Sequence, residues 1–311
     1  MKIAVLEGGR SLERGVSLRT GTRVKEALTR LGHEVVSVDA DTQMISNLRS
    51  EKPDIAFVAL HGRDGEDGTV QQMLRLLGIA HTGSDVAAAA RSGDKSIAKR
   101  RLIAAGLPTP DFFVLDATAV RDLAAVQVVP EIGERLGWPL IVKPALQGSS
   151  LGVKLVEAAS EVPGALLSAL SYDSKVLLEK FHSGRELAVT VIGETSGTKA
   201  FPPVEAIPVS AGYDFEARYE IGATRFECPP DLDPSLIATA QDLAVKTFDA
   251  LDCSGVARVD LILSDDGSFT ILELDSVPGL TQTSLVPLAA AAGGVEFDAL
   301  VERMLDLAVR P

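Results

Sequence analysis

The chain has 311 residues, with 30 Lys and Arg against 43 Asp and Glu, a net charge of -13, and 46% hydrophobic residues. That length and apolar content exclude a disordered chain and predict two or three packed units, while the acidic excess argues against a nucleic-acid or membrane-surface partner because the densest basic run, Lys95 to Arg101, is short. Two cysteines without metal-ligand spacing, Cys228 and Cys253, suit a reducing cytosol, and neither a signal-peptide core nor a run of 18 apolar residues occurs, so a cytoplasmic protein is expected.

Lys2 to Leu6, His33 to Val38 and Asp54 to Leu60 read as strands, and Val24, Ala27, Leu28 and Leu31 recur at helical spacing between the first two. Strand and helix in alternation imply right-handed crossovers and a parallel sheet. Residues 1–91 are therefore expected to form a Rossmann-like unit. Two segments follow strand carboxyl ends, where open sheets bind ligands: Glu7-Gly-Gly-Arg-Ser-Leu-Glu13 through Ser17, and His61 through Gly68. The glycine pair lacks the full G-x-G-x-x-G pattern, so a dinucleotide reading has little support.

After a helix stop at Gly106-Leu107-Pro108-Thr109-Pro110, a second unit, residues 92–179, is expected to carry strands at Asp111 to Leu115, Pro139 to Pro144, Gly152 to Val156 and Val176 to Phe181, with a helix near Ala165 to Leu170. Within it, Lys143-Pro-Ala-Leu-Gln-Gly-Ser-Ser-Leu-Gly152 sets a lysine at a strand end before a turn of small residues. Such a turn lets backbone N–H groups and hydroxyls approach phosphate oxygens while the lysine supplies charge, although an ordinary hairpin loop looks similar. The strand ending in Glu179 and Lys180, followed by Glu186, offers backbone edges for a purine and a carboxylate for ribose hydroxyls; an ordinary connection with exposed acids is the competing reading.

The last unit, residues 180–311, opens with a strand at Glu186 to Gly193. It continues through a polar stretch, 210–230, too long for an ordinary connection and read as a lid or binding loop. A helix from Pro234 to Leu251 follows, with Leu236, Ile237, Ala240, Leu243, Ala244, Phe248 and Leu251 on one face. Gly255 to Leu263 and Ser268 to Asp275 read as a hairpin joined through Asp265-Asp266-Gly267. A two-residue Asp266-Gly267 turn sets Asp260 opposite Glu273 and Arg258 opposite Asp275, with Ile262, Phe269 and Ile271 on the same face. Directly opposed residues have Cβ atoms about 4.5–5.5 Å apart. Acids so close repel unless paired, so Mg²⁺ or Mn²⁺ is the expected occupant, with a solvated salt-bridged sheet face as the alternative.

Segments spread from end to end then converge. They are Glu13 to Ser17, His61 to Gly68, Thr82-Gly-Ser84, Asp94-Lys95, Lys143-Pro144 with Gly148 to Gly152, Glu179-Lys180, Tyr213 to Tyr219, Arg258-Val-Asp260 and Glu273 to Thr281. Together they make the whole chain resemble the ATP-grasp carboxylate–amine ligases, and within them the D-alanine–D-alanine ligases. The resemblance implies an α/β ATP-grasp fold behind the N-terminal Rossmann-like parallel-sheet domain, with ATP between the central and C-terminal units. It implies that Lys95 and Lys143 contact phosphates, that Glu179, Lys180, Phe181 and Glu186 line the nucleotide, and that Asp260, Glu273 and Asp275 hold two Mg²⁺ ions.

It further implies that Glu13 binds the ammonium of a first D-alanine, with His61 beside it. Arg258 and the Gly279 backbone would stabilise the oxyanion, and Ser284 with the backbone near Leu285 would receive the second D-alanine's carboxylate. Tyr219, on the lid loop with Arg218, would reach Ser149 and Glu13. The implied reaction is formation of an acyl phosphate from ATP and the first D-alanine, then attack by the second amine, in a homodimer serving peptidoglycan precursor synthesis. Four positions depart from the family pattern: Gly15, Gln147, Arg218 and Asp275. A ligase with D-serine or a D-hydroxy acid as acceptor, and a non-catalytic nucleotide-binding homologue, are the rival readings.

Overall fold

Ile3, Ala4, Val5 and Leu6 form an unbroken apolar run with no solvent exposure, the pattern of a strand covered on both faces. In the computed structural model, which describes residues 1–194, 196–208 and 224–310, that run lies in β1 (Lys2–Glu7). β1 pairs in parallel with β2 (Glu34–Asp39) and β3 (Ile55–Val58), and β3 with the short β4 (Ala80–His81), giving the order β2-β1-β3-β4. The helix Arg14–Arg30 packs Val24, Ala27 and Leu28 into the core of this sheet. The parallel sheet expected from the strand–helix alternation is present.

β5 (Phe112–Asp116), β6 (Leu140–Pro144), β7 (Lys154–Val156) and β8 (Lys175–Lys180) form an antiparallel sheet in the order β5-β8-β6-β7. A third, antiparallel sheet contains β9 (Arg185–Glu194), β10 (Gly197–Ala200), β11 (Val204–Pro208), β12 (Thr224–Glu227), β13 (Val256–Leu263) and β14 (Phe269–Asp275). Its order is β12-β11-β9-β13-β14, with β10 on β9. β12 falls inside the 210–230 stretch that composition reads as one long loop; pairing with β11 draws 224–227 into the sheet. The rest of that loop from 210 to 223, with Arg218 and Tyr219, lies outside the described residues.

Two helices pack away from their sequence neighbours. Ala98 and Leu102 of the helix Lys95–Ala104 enter the core of the third sheet beside Phe269 and Ile271. Leu300, Val301, Met304 and Leu305 of the helix Phe297–Asp306 return to the first sheet's core with Ile3 and Val24. The first and third sheets are thereby tied to segments distant in the chain.

The β13–β14 hairpin corrects one expectation and keeps another. Its loop has three residues, Asp265 to Gly267, closed by Ser264 N–H to Ser268 O at 2.9 Å and by Gly267 N–H to Ser264 O at 2.9 Å, with Gly267 at φ +83. That turn shifts the register by one from the two-residue form, and a bulge after Asp260, with Leu272 as the extra residue, shifts it back. Arg258 therefore faces Asp275 and Asp260 faces Glu273, as the sequence predicts. Below the bulge, Phe269 and Ile271 pair with Leu263 and Leu261 and face the core under the helix Pro234–Ala250, not the acids.

Candidate active site

Two cavities adjoin where the three sheets meet. Glu13, His61, Ser149, Arg258, Asp275, Gly279, Ser284 and Leu285 line the first. Lys143, Glu179, Lys180, Phe181, Glu186 and Asp260 line the second. Lys95, Gln147, Gly148 and Glu273 line both, so each site residue expected from sequence and described here borders one cavity or the other.

In the first cavity Glu13 stands at the start of the helix Arg14–Arg30, and its Oε1 accepts a hydrogen bond from Ser149 Oγ. Ser149 and Ser150 both adopt left-handed backbone, φ +53 and +57, which turns the small-residue loop back toward that helix. Glu13 Oε2 is buried and has no hydrogen-bond partner among the described residues. Burial foremost, then the charge of Glu66, raises the Glu13 carboxyl above its ordinary range. An orphaned anionic oxygen of this kind is suited to an ammonium that arrives with a ligand.

His61 is buried beside it. Its Nδ1 lies 3.0 Å from the Val277 carbonyl, which can only accept, so Nδ1 carries a proton; Nε2 lies 3.0 Å from Thr20 Oγ1. Burial alone would depress this imidazole, yet Glu66 at 3.8 Å, with Asp275 and Glu13, carries its pKa above the usual value. Glu66 itself accepts from Gly62 N–H at 2.8 Å and is raised by burial and by Asp275.

On the hairpin, Arg258 grips Asp260 through Nε at 2.7 Å and Nη2 at 2.9 Å, and Asp275 through Nη1 at 3.1 Å. Lys95 Nζ reaches Glu273 at 3.2 Å and the Gln147 carbonyl at 2.6 Å. The three carboxylates thus share one strip of sheet with two cations. Among the described residues no three His, Cys, Asp or Glu side chains converge to hold a metal ion. The donor chemistry nonetheless fits Mg²⁺, which takes oxygen ligands and is commonly held by one or two carboxylates completed by substrate phosphates.

Across the second cavity Glu179, 3% exposed at its side chain, lies between Lys143 Nζ at 2.6 Å and Lys99 Nζ at 3.0 Å. Burial would raise this carboxyl, but the two lysines hold it below its ordinary range. Ser284 occupies the N-cap of the helix Leu285–Ala292, and both Ser284 and Leu285 line the first cavity; the first-turn N–H groups of a helix suit a carboxylate. Lys99 and Glu66 are the residues that sequence reasoning missed. For Lys99 a signal existed: with Lys95, Ala98 and Leu102 it falls on one helical stripe, although the sequence shows it only as one cation of a short basic run.

Residues 102–306 match the family described as D-ala D-ala ligase C-terminus, and residues 40–84 match D-ala D-ala ligase N-terminus. A D-alanine--D-alanine ligase of Moorella thermoacetica is 40% identical over 315 residues, spanning 100% of both chains. One of Syntrophotalea carbinolica is 41% identical over 304 residues, 98% of this chain and 95% of the relative. Among solved structures, the D-alanine--D-alanine ligase from Bacillus anthracis complexed with ATP superposes with a TM-score of 0.81 at 29% identity, covering 99% of this chain and 97% of that one. The VanG D-Ala:D-Ser ligase from Enterococcus faecalis has a TM-score of 0.84 at 25% identity, covering 98% of both.

Proposed function

The chain belongs to the D-alanine–D-alanine ligase family, and on that footing we propose that it is an ATP-dependent carbon–nitrogen ligase joining two D-alanine molecules for peptidoglycan precursor synthesis. The observation that carries this reading is the orphaned Glu13 oxygen in a cavity that shares Lys95 and Glu273 with a second cavity lined by Lys143 and Glu179. One cavity has the chemistry for an amino acid's ammonium. The other has the cations for phosphates.

In the proposed reaction the γ-phosphoryl group of ATP passes to a carboxylate oxygen of the D-alanine held by Glu13, leaving ADP. Lys95 and Lys143 offset the charge of the phosphates. The carboxylate of a second D-alanine sits at Ser284 and the helix N-terminus beyond it, and its free amine attacks the acyl carbon; phosphate leaves. Arg258 and the Gly279 N–H receive the developing oxyanion. Asp260, Glu273 and Asp275 would hold Mg²⁺, which supplies further charge neutralisation at the phosphates.

The test is release of ADP and phosphate with and without D-alanine. Release that depends on D-alanine is expected; release independent of it, or none, overturns the proposal. A second reading, D-serine as acceptor, draws support from the likeness to the VanG D-Ala:D-Ser ligase. In the family a tyrosine at the position of Tyr219 accompanies dipeptide formation, so competition of D-alanine against D-serine and D-lactate at pH 7, with products separated by mass, is expected to yield D-alanyl-D-alanine. By the same resemblance we propose a cytoplasmic homodimer divided near residues 91 and 179. No helix among the described residues is long and apolar enough to cross a membrane.

A further inference from the structure

Lys99 is almost fully enclosed, with 1% of its side chain exposed. It projects from the helix Lys95–Ala104 behind the wall of the second cavity, which it does not line. Its Nζ donates to Thr109 Oγ1 at 2.8 Å and pairs with Glu179 Oε2 at 3.0 Å. The other Glu179 oxygen pairs with Lys143, which does line the cavity. One buried carboxylate is therefore divided between two ammonium groups, one hidden and one facing the ligand space. A buried lysine is costly to keep. Packing alone would be served as well by an apolar side chain of the same length.

We propose that Lys99 is a positioning residue of the nucleotide site: by taking half of Glu179 it leaves the charge of Lys143 available to the nucleotide's phosphates. With Lys99 charged, the trio of Lys99, Glu179 and Lys143 carries one net positive charge. Without it, Glu179 turns wholly to Lys143 and the trio is neutral. This rests on the nucleotide reading above. Charge on Lys99 is itself within reach of titration, since burial foremost, and then the like charge of Lys143, lowers its pKa to about 8 against the pull of Glu179 and Glu273. His182 also faces it, and burial and Lys180 keep that ring's pKa below the ordinary value. Loss of the Lys99 proton therefore removes positive charge from the site as pH rises past about 8.

The test is calorimetric titration of the whole chain with ADP and with adenosine. Lys99→Met, which keeps the buried stem, should weaken ADP by about tenfold, the scale of one charge acting at several ångströms in a partly buried site, while leaving adenosine within about twofold. The double variant Lys99→Met with Glu179→Gln restores the single net positive charge and should recover most of the preference for ADP over adenosine. ADP affinity of the unaltered chain should fall between pH 7.5 and pH 9, and that of Lys99→Met should stay flat. Equal weakening of ADP and adenosine, or no recovery in the double variant, would overturn the proposal. An unaltered chain that binds ADP but does not turn over D-alanine overturns the function and not the role of Lys99; one that binds neither ADP nor adenosine overturns both.

Discussion

Ser149 donates a hydrogen bond to Glu13 across 136 residues of chain, and this contact joins the small-residue loop to the first helix in the lining of the first cavity. It satisfies one oxygen of a buried acid and leaves the other open. Glu13→Gln keeps the shape and removes the charge that would hold an ammonium, so turnover should fall by about a hundredfold or more. Steady-state assays at saturating ATP check this.

The same variant should make the substrate-free protein more stable at neutral pH. Because burial raises the Glu13 pKa from 4.5, the native state holds more protons than the unfolded chain just above pH 4.5, and stability is lost as pH climbs through that window. Glutamine carries no such penalty. Thermal melts should show Glu13→Gln above the unaltered chain at pH 7 and the two converging near pH 4; a lower melting point at pH 7 would contradict the argument.

Glu273 borders both cavities and pairs with Lys95. Glu273→Gln removes an oxygen-donor charge without changing volume. We expect turnover to drop by about 10²-fold or more, with circular dichroism unchanged. Near-normal activity at saturating Mg²⁺ would remove Glu273 from the site.

Arg258 spans Asp260 and Asp275 with three N–H groups of one planar fork. A single ammonium on a flexible stem cannot reproduce that span. Arg258→Lys should therefore lower kcat by about 10²-fold or more while the ATP KM changes by less than about fivefold, because in the proposed reaction the guanidinium held by those two acids is the group that meets the oxyanion. A change confined to KM would assign Arg258 to ground-state binding instead.

Gly21 leaves room for Glu7, whose Oε2 would stand 1.9 Å from an added Cβ. Glu7 has little freedom to retreat, being buried and held by Lys25 and Ser37 at 2.5 Å each. Gly21→Ala should cost about 1–3 kcal/mol or more of overpacking, beyond the ~1 kcal/mol that alanine gains in a helix. A lower urea midpoint with an unchanged m-value would show it; an unchanged midpoint would mean that Glu7 moves aside freely.

The apolar runs and their periods decided where β1, the first helix and the β13–β14 hairpin lie, since each is specified by residues a few positions apart. Asp260 and Glu273 were legible as neighbours for the same reason. The turn between them was not: two- and three-residue loops ending in Asp-Gly are both compatible with the local sequence. Burial of Phe269 and Ile271 under the helix Pro234–Ala250 is met by the three-residue turn, and the bulge at Leu272 then returns the acids to the cavity. A local reading takes the two offsets as one uniform register and therefore places the apolar residues on the wrong face.

The sequence by itself determined most element types, the parallel opening sheet and most of the residues that border the two cavities, because periodicity and motif spacing act over short stretches of chain. Only the tertiary structure decided which charges from separate segments meet. Lys99 reads as one cation in a basic run until the helix Lys95–Ala104 docks on the third sheet and sets its ammonium against Glu179 of β8. Glu13 reads as a helix-start acid until the loop from β6 brings Ser149 to it. Burial, and with it the strength of every charge in the site, is a property of surfaces packed together from distant segments, and no window along the chain contains it.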